Sequence, residues 1–489
     1  MERNESFLQK AEALKPTLLT RILTASGSET PLKKGNSLTL DFGEHLVGYV
    51  TLKLGFTGSH PDAPCWLRLK FAEREQELNE NVEDYHGWIS ASWVQQEQVH
   101  VDVLPCELRL PRRYAFRYVQ LEVLDISGKY DLVVKGADCE AVSSADEAAL
   151  LPYKTEDAFL RRIDAVACKT LHDCMQLVFE DGPKRDRRLW MGDLRLQALA
   201  NYRSFRYNDL VERCLYLFAG STLPGGRVGA GLFLEPEIEV DDTAMFDYSL
   251  LYVPTLLDYY EATGDRETLA ELWPTAWRQI ELAQESFDEA GLVRDSDVLG
   301  WCFVDWNLAL NKQASAQGIY LYCLKAAGKI AEILGDEGKA LWIKADYEKK
   351  KQAALDGLYD PALGLFVSGA DRQISWASQI WMVLGGVCGG EVLRRVECAE
   401  AVTMVTPYLY HHYVQALLDV GERDKALQVL TAYWGGMVKA GADTFWELYD
   451  PTDPNASPYG GTIVNSYCHA WSCAPAYFLR KFFAERASL

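Results

Sequence analysis

Residues 155–178 read TEDAFLRRIDAVACKTLHDCMQLV and mark a change of pattern along the chain. The apolar side chains that recur there at helical spacing are Phe159, Ile163, Val166, Cys174 and Leu177. Spacings of three and four residues place such side chains on one face of an α-helix. Thr155 is a candidate N-cap because acidic residues follow it in the first turn. The stretch therefore predicts that a helical domain begins near residue 155.

The helical pattern continues towards the C-terminus and is punctuated by glycine–acid pairs. These pairs are Gly264-Asp265, Gly335-Asp336 and Gly421-Glu422. Glycine suits the left-handed position that ends a helix, and the acid suits the start of the next one. Helix hairpins follow from this punctuation. We predict a closed double ring, an (α/α)6 toroid, over residues 151–489, although periodicity alone also fits an open solenoid. The candidate helices are 156–178, 192–206, 208–219, 241–263, 266–289, 313–334, 337–358, 374–386, 390–402, 407–420, 424–440 and 466–485.

The first third of the chain has a different period. Apolar residues alternate in short runs between about residues 37 and 142, for example Leu38, Leu40 and Phe42, and later Val119, Leu121 and Val123. Alternation broken by turn residues indicates half-buried antiparallel strands. We predict an antiparallel β-sandwich domain over residues 1–150. Within it, residues 1–30 are expected to be helical or irregular, and residues 73–87 to form a long acidic loop.

Composition excludes several functional classes. The 489 residues include 49 Lys+Arg and 70 Asp+Glu, a formal net charge of −21. This charge disfavours nucleic acid and anionic membranes as partners, and no apolar run reaches the roughly 18 residues of a membrane span. The N-terminus lacks the apolar core of a signal peptide. The 12 cysteines form no C-x-x-C pair, which predicts reduced thiols, a cytoplasmic protein and no metal site.

The segment 180–193, EDGPKRDRRLWMGD, carries the strongest chemical signal. Its carboxylates Asp181, Asp186 and Asp193 alternate with arginines and with Trp190. A solvated loop would be the ordinary interpretation, but an apolar run precedes the segment and a tryptophan lies within it. Arginines keep some neighbouring carboxylates ionised, while a drier carboxyl can stay protonated, which acid–base catalysis requires.

A second segment, 441–451, reads GADTFWELYDP and places Glu447 among aromatic residues. Such a carboxylate can act as a base, although a rim glutamate bonded to a helix end is the structural alternative. Trp306 and His469 lie in further aromatic–polar clusters. Flat rings stack on sugar faces, and carboxylates or His bind hydroxyls. Glycoside hydrolysis needs two carboxyl groups, so Asp186 and Glu447 are the candidate pair.

These segments resemble the signatures of glycoside hydrolase family 78, the α-L-rhamnosidases of the six-hairpin glycosidase type. Residues 181–193 align without a gap with D-C-P-x-R-E-R-L-G-W-T-G-D, and residues 442–450 with A-T-T-x-W-E-R-W-D. Residues 40–50 and the run Phe116-Arg117-Tyr118-Val119 are similar to the β-sandwich that precedes the catalytic domain in this family. The resemblance covers nearly the whole chain.

The resemblance implies an exo-acting, inverting enzyme that removes terminal α-L-rhamnose from small glycosides without a metal or other cofactor. Asp186 falls on the general acid, usually a glutamate, and Glu447 on the general base. In an inverting enzyme water lies between base and sugar, and the carboxyls are roughly 6.5–9.5 Å apart. The implied substrate-binding residues are Asp181, Arg185, Trp190, Asp193, Trp306, Trp446 and His469.

Other interpretations stay open at this point. The same fold could cleave another deoxyhexoside or a uronyl glycoside, or the chain could be a catalytically inactive carbohydrate-binding protein. A lyase or epimerase is less favoured because the pair His411-His412 has no motif around it. The β-sandwich either packs on the toroid and supplies a pocket loop or mediates a homodimer.

Overall fold

The computed structural model describes residues 1–295 and 300–484. The C-terminal residues 485–489 of the predicted toroid, including the last residue of the predicted helix 466–485, lie outside the described residues. The N-terminal part contains β1 (Glu2–Arg3), α1 (Glu5–Ala13), β2 (Leu19–Ser26), β3 (Ser37–Gly58), β4 (Cys65–Ala72), β5 (Gln96–Val101), β6 (Cys106–Arg109), β7 (Tyr114–Asp125) and β8 (Tyr130–Ser143).

Strands β2 to β8 form an antiparallel sheet that folds around one core. The strand order is β2-β8-β3-β7-β4-β5, and β6 pairs with β3. Strand β3 changes partners along its length, from β7 over its first half to β8 and β6 over its second. The alternating residues from Leu40 to Cys139 meet in this core, which confirms the predicted sheet-rich domain. The expectation for residues 1–30 missed β2, because most of its side chains are exposed and show no apolar alternation.

The rest of the chain is helical. Its helices are α2 (Ala158–Cys174), α3 (Met191–Asn201), α4 (Asn208–Gly220), α5 (Phe246–Thr263), α6 (Arg266–Ala283), α7 (Gln313–Leu334), α8 (Glu337–Gly357), α9 (Trp376–Leu384), α10 (Glu391–Val396), α11 (Pro407–Asp419), α12 (Arg423–Lys439) and α13 (Ala474–Phe482). The short strands β9 (Leu189–Trp190), β10 (Ser221–Thr222), β11 (Gly231–Phe233), β12 (Glu239–Val240), β13 (Tyr359–Asp360), β14 (Leu365–Ser368) and β15 (Gln373–Ile374) lie between them.

The helices close into a double ring. In the inner ring α3 packs on α5, α5 on α7, α7 on α9, and α9 on α11. Residues 470–473 then contact both α11 and α3, so the ring closes. Helices α4, α6, α8, α10 and α12 pack outside their inner neighbours, and α2 packs between α12 and α13. This closure distinguishes a toroid from an open solenoid and confirms the six-hairpin prediction.

Local sequence sets the helix ends. Gly264 and Gly335 adopt left-handed conformations with φ of 74° and 77°, which suits glycine. The following Asp265 caps α6 by accepting from two backbone N–H groups. At α2 the N-cap is Asp157 instead of the predicted Thr155, whose hydroxyl accepts from the Asp157 N–H. The prediction therefore placed this helix start two residues too early.

The first residues of the chain contact the helical ring. Strand β1 pairs with β10, and α1 packs on α4. Among the described residues, none of the helices combines the length and apolar character that crossing a bilayer requires. All twelve cysteines are free thiols.

Candidate active site

The two predicted segments meet at one end of the ring. Each inner helix is preceded by a connecting segment, and these segments converge at the N-terminal ends of the inner helices. The Ala470 N–H donates to the Asp181 carbonyl over 2.8 Å, which joins the segments before α13 and α3. Strand β9 pairs with β11 and so fixes the segment that ends at Trp190.

Arg185 connects the two candidate carboxyl groups. Its Nη2 donates to Glu447 Oε2, and its Nη1 lies 3.6 Å from Asp186 Oδ1. Its Nε donates to the Val464 carbonyl over 3.1 Å. Arg185 and Glu447 are both buried, so the guanidinium lies beside both carboxyls and the ion pair with Glu447 is shielded from bulk solvent.

Glu447 has partners that favour its ionised form. Besides Arg185, the Tyr459 hydroxyl donates to Oε1. Trp471 Nε1 donates to the Glu447 carbonyl over 3.0 Å and fixes the backbone. Burial alone would raise the pKa of Glu447, but the charge of Arg185 and the hydrogen bonds from Arg185 and Tyr459 outweigh it and lower the pKa. A carboxylate that is ionised and desolvated is suited to act as a base.

Asp186 has the opposite character. Burial raises its pKa and exceeds the opposing effect of Arg185 and Arg188, while the Glu447 charge adds to the increase. Its backbone and that of Arg187 adopt left-handed conformations, with φ of 65° and 54°. Such conformations are uncommon for residues with side chains and concentrate at functional sites. A carboxyl that keeps its proton to higher pH can serve as an acid.

His469 lies between two further buried acids. Its Nε2 is 3.9 Å from Asp181 Oδ2, and its Nδ1 is 3.7 Å from Asp193 Oδ1. Burial lowers the pKa of His469 to about 4, so the ring is neutral at pH 7. Burial, followed by the nearby acids, raises the pKa values of both aspartates well above their usual range. This group offers hydrogen-bond donors and acceptors to the hydroxyl groups of a ligand.

The contact between Tyr248 and Asp193 depends on the glycine that precedes Asp193. A Cβ at Gly192 would lie 2.3 Å from a ring carbon of Tyr248. With glycine there, the Tyr248 hydroxyl comes within 3.4 Å of Asp193 Oδ2 and donates to it.

Several buried polar atoms of the candidate site have no hydrogen-bond partner among the residues that the structure describes. They are Trp190 Nε1, Asp193 Oδ1, Trp306 Nε1 and His469 Nδ1. Buried polar groups are almost always satisfied, so a cluster of unsatisfied ones calls for an explanation. Indole donors beside carboxyl and imidazole groups match the needs of a polyhydroxylated ligand with apolar faces.

The predicted aromatic residues occupy different places. Trp306 lies in a connecting segment held by Asp305, which accepts from the Val405 and Thr406 N–H groups at the start of α11. Its ring centre is 5.8 Å from that of Tyr459. Trp446 instead packs under the Arg74 guanidinium of the sheet domain at 4.1 Å. Its ring therefore contributes to the domain interface.

Sequence reasoning missed some residues of the site. Tyr459, which bonds Glu447, follows a polar stretch, and the adjacent pair Gly460-Gly461 was the available signal. Asp241, whose Oδ2 accepts from Arg188 Nη1 over 3.1 Å, carried no motif. The pair His411-His412 lies inside the helical core. Burial lowers the pKa of His412 to about 3, so this pair is part of the packing.

One group of potential metal ligands lies at the domain interface. Ligand atoms of His45, Asp173 and Cys468 are within 4.8 Å of one another and buried. Both ring nitrogens of His45 are already engaged, Nδ1 at 2.7 Å from Asp173 and Nε2 at 3.0 Å from Glu73. This geometry is that of an ionic link between the sheet and the helical ring.

A closed double ring of helices with paired carboxyls at one end defines a glycosidase of the six-hairpin type. Residues 152–482 match the model of the bacterial α-L-rhamnosidase six-hairpin glycosidase domain. Residues 11–141 match the N-terminal domain of glycosyl hydrolase family 78 α-rhamnosidases. The chain belongs to glycoside hydrolase family 78.

Solved structures agree with this assignment. A rhamnosidase from Klebsiella oxytoca with rhamnose bound is 48% identical, with a TM-score of 0.95 over 98% of this chain and 99% of that chain. A family 78 rhamnosidase of Bacillus sp. GL1 is 22% identical, with a TM-score of 0.77 over 91% of this chain and 46% of that chain. The latter shows the fold alone. A comparison with curated proteins returned no match.

Proposed function

We propose that this glycosidase removes terminal α-L-rhamnose from small glycosides with inversion, using Asp186 as general acid and Glu447 as general base. The observation that carries the roles is the opposite pKa shift of the two carboxyls around one arginine. The acid protonates the leaving oxygen, and the base takes a proton from the attacking water. The sugar assignment rests on the similarity to the Klebsiella enzyme, which holds rhamnose.

The remaining residues bind the sugar in this proposal. The neutral His469 with Asp181 and Asp193 accepts and donates hydrogen bonds to hydroxyls. Trp190 and Trp306 offer ring faces and indole N–H donors that have no hydrogen-bond partner in the described part of the chain. Such a site recognises a neutral sugar because the hydroxyls satisfy the polar atoms and the rings cover the apolar face.

The leaving group distinguishes the roles of the two carboxyls. Asp186→Asn should lose about 10²–10⁴-fold in kcat on alkyl rhamnosides, whose leaving groups need a proton. It should lose far less on a dinitrophenyl rhamnoside, whose leaving group departs as an anion. Glu447→Gln should lose similarly on both substrates. Asp242→Asn, at an exposed residue that follows Asp241 in the chain, is the matched control. Equal losses of Asp186→Asn on both substrates would remove Asp186 from the acid role.

Stereochemistry and sugar preference are separate measurements. NMR of the first product anomer should show inversion, and retention would contradict the base role of Glu447. A panel of nitrophenyl α-L-rhamnoside, α-L-arabinoside, β-D-glucoside and β-D-glucuronide tests the sugar. Turnover of another glycoside but not of the rhamnoside would contradict the assignment of rhamnose as the sugar, while the proposed roles of Asp186 and Glu447 would stand.

A further inference from the structure

Trp88 is a large aromatic side chain that the structure holds in place and leaves open to solvent. It lies in the loop of the sheet domain between β4 and β5, and 67% of its surface is exposed. Its Nε1 donates to the Pro458 carbonyl over 2.8 Å. The adjoining Tyr85 hydroxyl donates to the Tyr459 carbonyl over 3.0 Å. Two hydrogen bonds from this loop thus reach the segment that carries Tyr459.

The ring of Trp88 extends the aromatic lining of the site outwards. Its centre is 5.6 Å from that of Tyr459 and 6.4 Å from that of Trp306. Tyr459 in turn bonds the candidate base Glu447. The aromatic cluster therefore runs from the buried Glu447 to the surface, and Trp88 is its exposed end.

We propose that Trp88 forms a subsite for the leaving group of the substrate, selecting leaving groups with a flat apolar face such as an aromatic ring. The proposal rests on the proposed function. An enzyme that encloses a terminal sugar leaves the attached group to emerge through the mouth of the site. An ordered, exposed indole at that mouth loses little conformational freedom on binding and stacks on an aromatic ring.

A pair of substrates with the same sugar isolates this contact. 2-Phenylethyl and ethyl α-L-rhamnoside release alcohols of similar acidity, so the chemical step is similar and the phenyl ring is the main difference. The wild-type enzyme should have the lower KM for the phenylethyl substrate. Trp88→Ala should raise the KM of the phenylethyl substrate about 3–10-fold more than that of the ethyl substrate. Trp88→Phe keeps a ring and should retain part of the preference.

Controls separate the subsite from a supporting role. Trp66→Ala removes another partly exposed tryptophan of the sheet domain and should leave the KM ratio unchanged. If Trp88→Ala raised the KM of both substrates equally, Trp88 would only support Tyr459, and the proposal would be overturned. Equal KM values of the wild-type enzyme for the two substrates would also overturn it. If the glycoside panel identifies another sugar, the rhamnose assignment fails, and the same two leaving groups on that sugar test the subsite.

Discussion

The buried Glu447 and the partly exposed Asp186 have opposite pKa shifts because their partners differ. Glu447 receives hydrogen bonds from Arg185 and Tyr459, whereas Asp186 has Arg185 at 3.6 Å. The sequence pointed to both acids through arginines and tryptophans nearby in the chain. It could not predict the shifts, because Tyr459 reaches Glu447 only through the folded loop. Local sequence thus identifies the acids, and tertiary contacts set their protonation.

The variant Tyr459→Phe tests whether Tyr459 lowers the pKa of Glu447, the proposed base. The change removes a hydrogen bond that lowers the pKa of Glu447, so this pKa should rise. Because the base must be ionised, the acidic limb of the kcat/KM profile should move to higher pH, and kcat should fall about 10-fold. Tyr118→Phe, in the sheet domain, is the control. An unchanged acidic limb would exclude Tyr459 from tuning the base.

The variant Arg188→Met tests whether Arg188 lowers the pKa of Asp186, the proposed acid. The Arg188 charge opposes the burial that raises the pKa of Asp186, so its removal should raise this pKa further. The acid must carry its proton, and activity is lost as pH rises through its pKa; the alkaline limb should therefore move to higher pH. The exposed Arg278→Met is the control. Movement of the limb to lower pH would contradict the assignment of Asp186.

At the scale of elements, helices were predictable and connections were not. Helix α7 begins and ends where the pattern places it, at 313 and 334, because apolar period and glycine stops act locally. Strand β2 was not predicted because its mostly exposed residues show no alternation of apolar and polar side chains. Residues 73–87 of the loop between β4 and β5 were predicted as a loop, but the contact of this loop with the candidate site depends on domain packing. Glu77 of this loop pairs with Lys184 of the segment before α3.

The Glu77–Lys184 pair should stabilise the segment before α3 that carries Asp186. Both side chains are buried, and Lys184 also donates to the Asn465 carbonyl over 2.8 Å. Lys184→Met leaves a buried carboxylate without its cation, and we expect a loss of about 3–5 kcal/mol in urea unfolding. The double variant with Glu77→Gln should recover part of this. Arg394→Met breaks an exposed pair and should cost about 0–1 kcal/mol. If Lys184→Met and Arg394→Met lowered the free energy of unfolding by the same amount, the prediction would be wrong.

At the scale of the molecule, the sheet domain packs against the segments that form the candidate active site. It contributes Trp88 and Glu77 near the site, and His45 links Glu73 of the sheet to Asp173 of α2. The sequence left open whether this domain packs on the ring or mediates a dimer. Packing on the ring is what the structure shows, and it depends on buried charges that are distant in sequence, which no local pattern reveals.

His45 should make the stability of the whole molecule depend on pH. Burial opposes its charged form, but Cys468, Asp173 and Glu73 outweigh this and raise the pKa of His45 well above 6.5. The folded state then binds a proton that the unfolded state releases above about pH 6.5. This contribution is complete below pH 6.5 and is lost as pH rises through the folded pKa, at about 1.4 kcal/mol per pH unit.

Urea unfolding at pH 6, 7 and 8 measures this contribution. His45→Gln should lower the urea midpoint most at pH 6 and flatten its decline towards pH 8, since the variant has no proton to lose at this position. His60→Gln changes an exposed histidine of the same domain and should keep the wild-type slope. Parallel pH profiles of the wild type and His45→Gln would mean that the interface holds a neutral imidazole, because only a proton retained on folding produces the difference in slope.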